Sequence, residues 1–124
     1  MARVMIVDDA LFMRQVLTTI FIAEGHEVCG EAANAKDGVE KYKILKPDLV
    51  TMDIVMPMME ELDGIGAVKE IIRLDPKAKI LVISAMSQQA LVVEAIRLGA
   101  KDFLNKPVNP DRLKDTVRKI LANP

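Results

Sequence analysis

The run Leu49-Val50-Thr51-Met52 ends in a single carboxylate, Asp53, and lies between Pro47 and Pro57. A second apolar run, Arg3 to Val7, ends in a carboxylate pair, Asp8-Asp9. Lys79 to Ser84 ends in a hydroxyl, and Lys101 to Asn105 is followed by Lys106-Pro107. Short apolar runs bounded by breakers read as strands buried on both faces of a parallel sheet, and ligands of such sheets sit beyond the carboxyl ends of the strands. Clustered carboxylates repel and raise one another's pKa unless a cation intervenes. Hard oxygen ligands suit Mg2+, which retains waters and takes one or two carboxylates plus a phosphate oxygen. Asp8, Asp9 and Asp53 together therefore point to a metal site completed by a phosphoryl group. Lys106 can place a compact positive charge beside that group, and Ser84 a hydroxyl donor. Each residue taken singly has a plainer reading. Asp53 suits a turn or N-cap, Asp8-Asp9 the first turn of a helix, Lys106 a solvated surface and Ser84 the start of a turn. Their common position at strand ends favours the site.

The elements that must hold these residues follow from periodicity and punctuation. Arg3 to Val7 is the first strand. Leu11, Val16, Leu17, Ile20 and Phe21 recur at helical spacing, which predicts a helix from Leu11 to Glu24 with Gly25 as its stop. His26 to Ala32 reads as a strand and Asp37 to Leu45 as a helix closed by Pro47. After the central strand, Gly64 to Leu74 is helical until Asp75-Pro76 breaks it. Lys79 to Ser84 is a strand, a helix runs from Ser87 or Gln88 to Gly99, and Lys101 to Asn105 is a fifth strand. Asn109 is a candidate N-cap with Pro110 at the first helical position, ahead of a stripe formed by Leu113, Val117, Ile120 and Leu121. Five alternations of strand and helix imply a parallel sheet with right-handed crossovers and helices on both faces.

Composition bounds the class. A chain of 124 residues with 51% hydrophobic residues suits one domain with one core. A net charge of -1 argues against nucleic acid or an acidic membrane as partner. The single cysteine, Cys29, points to a reducing, cytoplasmic setting, and no apolar run has the length of a membrane span or a signal peptide.

Taken together, Val7-Asp8-Asp9, Met52-Asp53-Ile54-Val55-Met56-Pro57, Ser84-Ala85 and Lys106-Pro107 resemble the motif set of response-regulator receiver domains. The likeness covers essentially the whole chain, and Phe12-Met13-Arg14 after the acidic pair makes it strongest for stand-alone chemotaxis-type receivers. The resemblance implies one receiver domain over residues 1–124 with no output domain. The implied fold is a flavodoxin-like (βα)5 α/β fold, a doubly wound parallel sheet with strand order 2-1-3-4-5. Asp53 is then the phosphoacceptor for a histidine kinase. Asp8, Asp9 and Asp53 hold Mg2+ with the backbone carbonyl of Val55, and Lys106 pairs with the phosphoryl oxygens. Ser84 and Phe103 take the switch positions, and Lys106-Pro107 matches a peptide that is often cis in the family. The implied protein is a monomeric signalling switch rather than a metabolic enzyme. Its catalysis is confined to its own Mg2+-dependent phosphorylation and dephosphorylation. Its partners are the kinase, a motor-switch or adaptor protein docked on the fourth helix, fifth strand and fifth helix, and a phosphatase. An intermediate in a multistep phosphorelay is the alternative.

Two departures stand out. Met58 to Leu62 precedes Asp63-Gly64 and looks about three residues longer than the family's connection, which a surface loop tolerates cheaply. Phe103 lacks a phenolic hydroxyl, so any switching there works through packing. Other classes fit less well. A phosphohydrolase of the haloacid-dehalogenase type wants an aspartate where Val55 stands, and a nucleotide or flavin binder wants a glycine- or hydroxyl-rich loop where Asp8-Asp9 stands. Nothing supports an interaction module that never takes phosphate. Met52, Met56, Met58, Met59 and Met86 read as gap-fillers rather than soft-metal ligands, and Lys114, Arg118 and Lys119 as a solvated helix face. His26 reads as a surface residue without a partner, and Cys29 as a small apolar filler.

Overall fold

A computed structural model describes residues 1–56, 62–85 and 87–123. Five strands and five helices alternate: β1 (Arg3–Val7), α1 (Leu11–Ala23), β2 (Glu27–Ala32), α2 (Ala35–Leu45), β3 (Leu49–Asp53), α3 (Gly64–Leu74), β4 (Ile80–Ser84), α4 (Gln89–Leu98), β5 (Asp102–Asn105) and α5 (Pro110–Ala122). The strands form one parallel sheet in the order β2-β1-β3-β4-β5. The expected elements are all present, with ends moved by one or two residues. α2 starts at Ala35 because Asn34 accepts the Asp37 N–H and caps it there. α1 stops at Ala23, with Gly25 in the left-handed region at φ 84°. Asp53 is the last residue of β3, opposite Ile83, rather than just past the strand.

Alternate residues of the central strands go to opposite faces, and both faces are dry. Met5, Val7, Val50, Met52, Ile80 and Val82 join side chains of α2, α3 and α4 in one cluster. Val4, Ile6, Leu49, Leu81, Ile83 and Leu104 join Leu17 and Phe21 of α1 and Leu113, Val117 and Ile120 of α5 in the other. This double coverage is why β3 and β4 read as unbroken apolar runs rather than as alternating ones. Met52 and Met56 are buried in the first cluster, as gap-fillers should be; Met58, Met59 and Met86 lie outside the described residues. Cys29 is half-buried against the same cluster.

His26 corrects the sequence expectation. It is half-buried, its Nδ1 accepts the Ala2 N–H at 3.0 Å, and its ring meets Phe21 edge-on at 6.0 Å. The partner is a backbone group 24 residues away, which no local pattern announces. Thr116, not counted in the expected α5 stripe, is buried, while Leu121 is only partly so.

Candidate functional site

Parallel pairing places the carboxyl ends of β1, β3, β4 and β5 along one edge of the sheet. Asp8 follows β1, Asp53 ends β3, Ser84 ends β4, and Lys106 follows β5. The Lys106 N–H continues the β4–β5 ladder by donating to the Ser84 carbonyl at 2.7 Å, and the Lys106–Pro107 peptide is cis. From there the lysine side chain reaches across the edge. Its Nζ lies 3.2 Å from Asp8 Oδ2 and 3.3 Å from Asp53 Oδ2.

The acids are unevenly wetted. Asp8 and Asp53 are 1% and 5% exposed, whereas Asp9 is exposed. Each of the three offers an oxygen within 4.8 Å of the others. Burial first, and then the Asp8 charge, push the Asp53 carboxyl up to about 6; Lys106 and the Val55 N–H, which donates to Oδ1 at 3.3 Å, pull the other way without prevailing. Burial alone would lower the Lys106 ammonium, but Asp53 and Asp8 outweigh it and hold it above the usual lysine value. A lysine is thus kept charged, and two acids are only partly neutralised by it.

The polar atoms of Asp8 are bound unequally. Its N–H donates to Ala32 O at 3.0 Å, its carbonyl accepts from Arg14 at 2.7 Å, and its Oδ1 accepts the Ala10 N–H at 2.9 Å. Asp8 Oδ2 is buried and accepts no hydrogen bond from the described residues, while Lys106 Nζ faces it as an ion pair at 3.2 Å. A buried carboxylate oxygen without a hydrogen bond, in a set of three converging acids, fits a hard divalent cation. The plainer reading of Asp8-Asp9 as the first turn of α1 does not hold, since Ala10 is the N-cap and the first turn carries no acid.

The remaining expected residues sit around this cluster. Ser84 is fully buried at the same edge, and its Oγ accepts from Asn105 Nδ2 at 3.4 Å. The Val55 side chain is half-exposed at the rim, at 51%. Phe103 is half-buried and packs against the core cluster shared with α2, α3 and α4. Of the longer connection, Met58 to Glu61 lie outside the described residues; Leu62 is half-buried against the core. Sequence reasoning assigned no role to Arg14, Asn105 or Gln88. Arg14 bonds the Asp8 carbonyl, Asn105 bonds Ser84, and Gln88 Oε1 accepts the Ala85 N–H at 2.9 Å. The closeness of Asn105 to Lys106, and of Arg14 to the acidic pair, were the only signals available.

Residues 4–118 match the response regulator receiver domain family. The chain is 58% identical over 118 residues to the chemotaxis protein CheY of Thermotoga maritima, covering 95% of this chain and 96% of that protein. It is 51% identical to the chemotaxis protein CheY of Bacillus subtilis, covering 96% of this chain and 97% of that protein. Among solved structures, the CheX-CheY-BeF3-Mg complex of Borrelia burgdorferi superposes with a TM-score of 0.88 at 37% identity, over 95% of this chain and 87% of that one.

Proposed function

Because the chain belongs to the response regulator receiver domain family, we propose that this two-component signalling protein takes a phosphoryl group on Asp53 from a histidine kinase and thereby switches its affinity for a target protein in chemotaxis. The observation that carries this reading is the closure of a buried acid cluster by one lysine, with Lys106 Nζ at 3.2 Å from Asp8 and 3.3 Å from Asp53.

In the proposed step an Asp53 carboxylate oxygen attacks the phosphorus of a phosphohistidine. The O–P bond forms as the P–N bond breaks, and the imidazole leaves with the electron pair. A carboxyl pushed up to about 6 is still mostly ionised at neutral pH and therefore competent as the nucleophile. Asp8, Asp9 and Asp53, with the Val55 carbonyl, would hold Mg2+, which supplies charge neutralisation for the transferring group. Lys106 offers a charged donor to the phosphoryl oxygens once Asp53 no longer occupies it. Ser84 would donate its hydroxyl to a phosphoryl oxygen, and Phe103 would follow by repacking.

The names of the Thermotoga and Bacillus relatives support a role in chemotaxis. The Borrelia complex supports a protein partner that acts on the phosphorylated form, a phosphatase among the candidates. On α4, Leu91, Val93 and Ile96 are 38%, 54% and 41% exposed, which supports target docking on α4, β5 and α5. No described helix is long and apolar enough to cross a membrane.

The test is intact-mass analysis after incubation with acetyl phosphate and Mg2+. One added phosphoryl group is expected, absent when EDTA replaces the metal and absent in Asp53→Asn. Full labelling of Asp53→Asn would overturn the assignment.

A further inference from the structure

We propose that Arg14 is a positioning residue for the acid cluster: its guanidinium holds the Asp8–Asp9 peptide so that Asp8 Oδ2 is aimed into the cation site. This rests on the reading of Asp8 and Asp9 as metal ligands.

Arg14 lies on α1, one turn beyond the N-cap Ala10, whose carbonyl accepts its backbone N–H at 3.1 Å. Its side chain is only 15% exposed and turns back toward the end of the sheet. One arm donates to the Asp8 carbonyl at 2.7 Å, and Nε donates to Glu31 Oε1 at 3.0 Å. Glu31 is on β2, the neighbour of β1. A single planar fork therefore ties α1, the end of β1 and β2 together, which a lysine head cannot do in the same way.

The Asp8 carbonyl belongs to the peptide that continues into Asp9. Holding that oxygen orients the plane from which both acids spring. With the Asp8 N–H on Ala32, Oδ1 on the Ala10 N–H and the carbonyl on Arg14, Oδ2 is the Asp8 polar atom that no described residue hydrogen-bonds, and it faces Lys106 Nζ at 3.2 Å. Without Arg14 that peptide loses a charge-assisted restraint. It can then rotate, and the two carboxylates no longer share one geometry. Support one step removed from the ligands commonly changes metal affinity by 10- to 100-fold.

The experiment is calorimetric Mg2+ titration of the unphosphorylated chain, paired with melting of the metal-free protein. Arg14→Gln is expected to bind Mg2+ about tenfold more weakly. Arg14→Lys keeps the charge but lacks the planar fork whose spacing matches the two partners, and should fall between, roughly threefold weaker. Arg118→Gln removes the same charge from an exposed surface pair with Glu24 and Asp115 and should leave the affinity unchanged. Affinity within about twofold of the wild type in Arg14→Gln would overturn the proposal. So would an equal loss in Arg118→Gln, which would reduce the effect to net charge. If Arg14→Gln does not fold, Arg14→Lys decides, and wild-type affinity there overturns the proposal. Asp8→Asn separates the two readings. If Asp8→Asn binds Mg2+ as the wild type does, the metal site itself is misassigned; if it binds weakly while Arg14→Gln binds normally, only the role of Arg14 fails.

Discussion

Asp53 carries the tension of the site. Its carboxyl is pushed up from 3.8 to about 6 by burial and by Asp8, so folding favours its protonated form. The stability it contributes is complete below about pH 4 and is lost as pH rises through 6. In EDTA at pH 7, Asp53→Asn should therefore be more stable than the wild type, by at most about 3 kcal/mol for a shift of roughly two pH units. The gap should close as pH falls from 6 to 4. Urea denaturation across that range measures it, and a destabilised Asp53→Asn at pH 7 would contradict the account. Lys106 does not undo the strain, because one ammonium divides itself between two acids. The same residue scale explains why His26 escaped sequence reasoning: a lone imidazole has no spacing to read, and its partner is a backbone N–H from the chain's start.

The junction of β3 and α3 is the element most exposed to small changes. Gly64 opens α3 directly against the carbonyls of Asp53 and Ile54, and a Cβ there would collide with both. Backbone cannot step aside as a flexible side chain can. Gly64→Ala should cost about 1–3 kcal/mol despite alanine's better helix propensity. It should also slow labelling by acetyl phosphate, because relief of the clash displaces the end of β3 that carries Asp53. Denaturant midpoints and initial labelling rates test the two effects separately. Asp63 caps this helix by accepting the Gly66 N–H at 2.8 Å. The clash behind Gly64 is not legible, since it depends on where β3 ends in space.

For the whole molecule, the acid cluster joins residues from the start and the middle of the chain, so a cation bound there favours the folded state only. Adding Mg2+ at about a hundred times its Kd should stabilise the fold by about 2.7 kcal/mol, which is on the order of 10 °C in Tm for a chain of this size. Asp8→Asn should lose most of that rise. Thermal melts with and without Mg2+ check this, and an equal rise in both proteins would place the cation elsewhere.

The alternation of strands and helices, the strand-end positions of Asp8, Asp53, Ser84 and Lys106, and the caps at Asn109 and Gly25 were all present in the sequence. Each is governed by neighbours within a few residues: apolar period, breakers and capping chemistry. Parallel pairing then brings strand ends to one edge whatever the loops between them do. What the tertiary structure alone decided is how closely and how dryly these groups meet. The burial of Asp8 and Asp53, the bridge of Lys106 to both, the bond from Arg14 to the Asp8 carbonyl and that from Asn105 to Ser84 depend on register and packing between distant segments. Electrostatic energies turn on separations of an ångström and on the exclusion of water, neither of which is written in the order of residues.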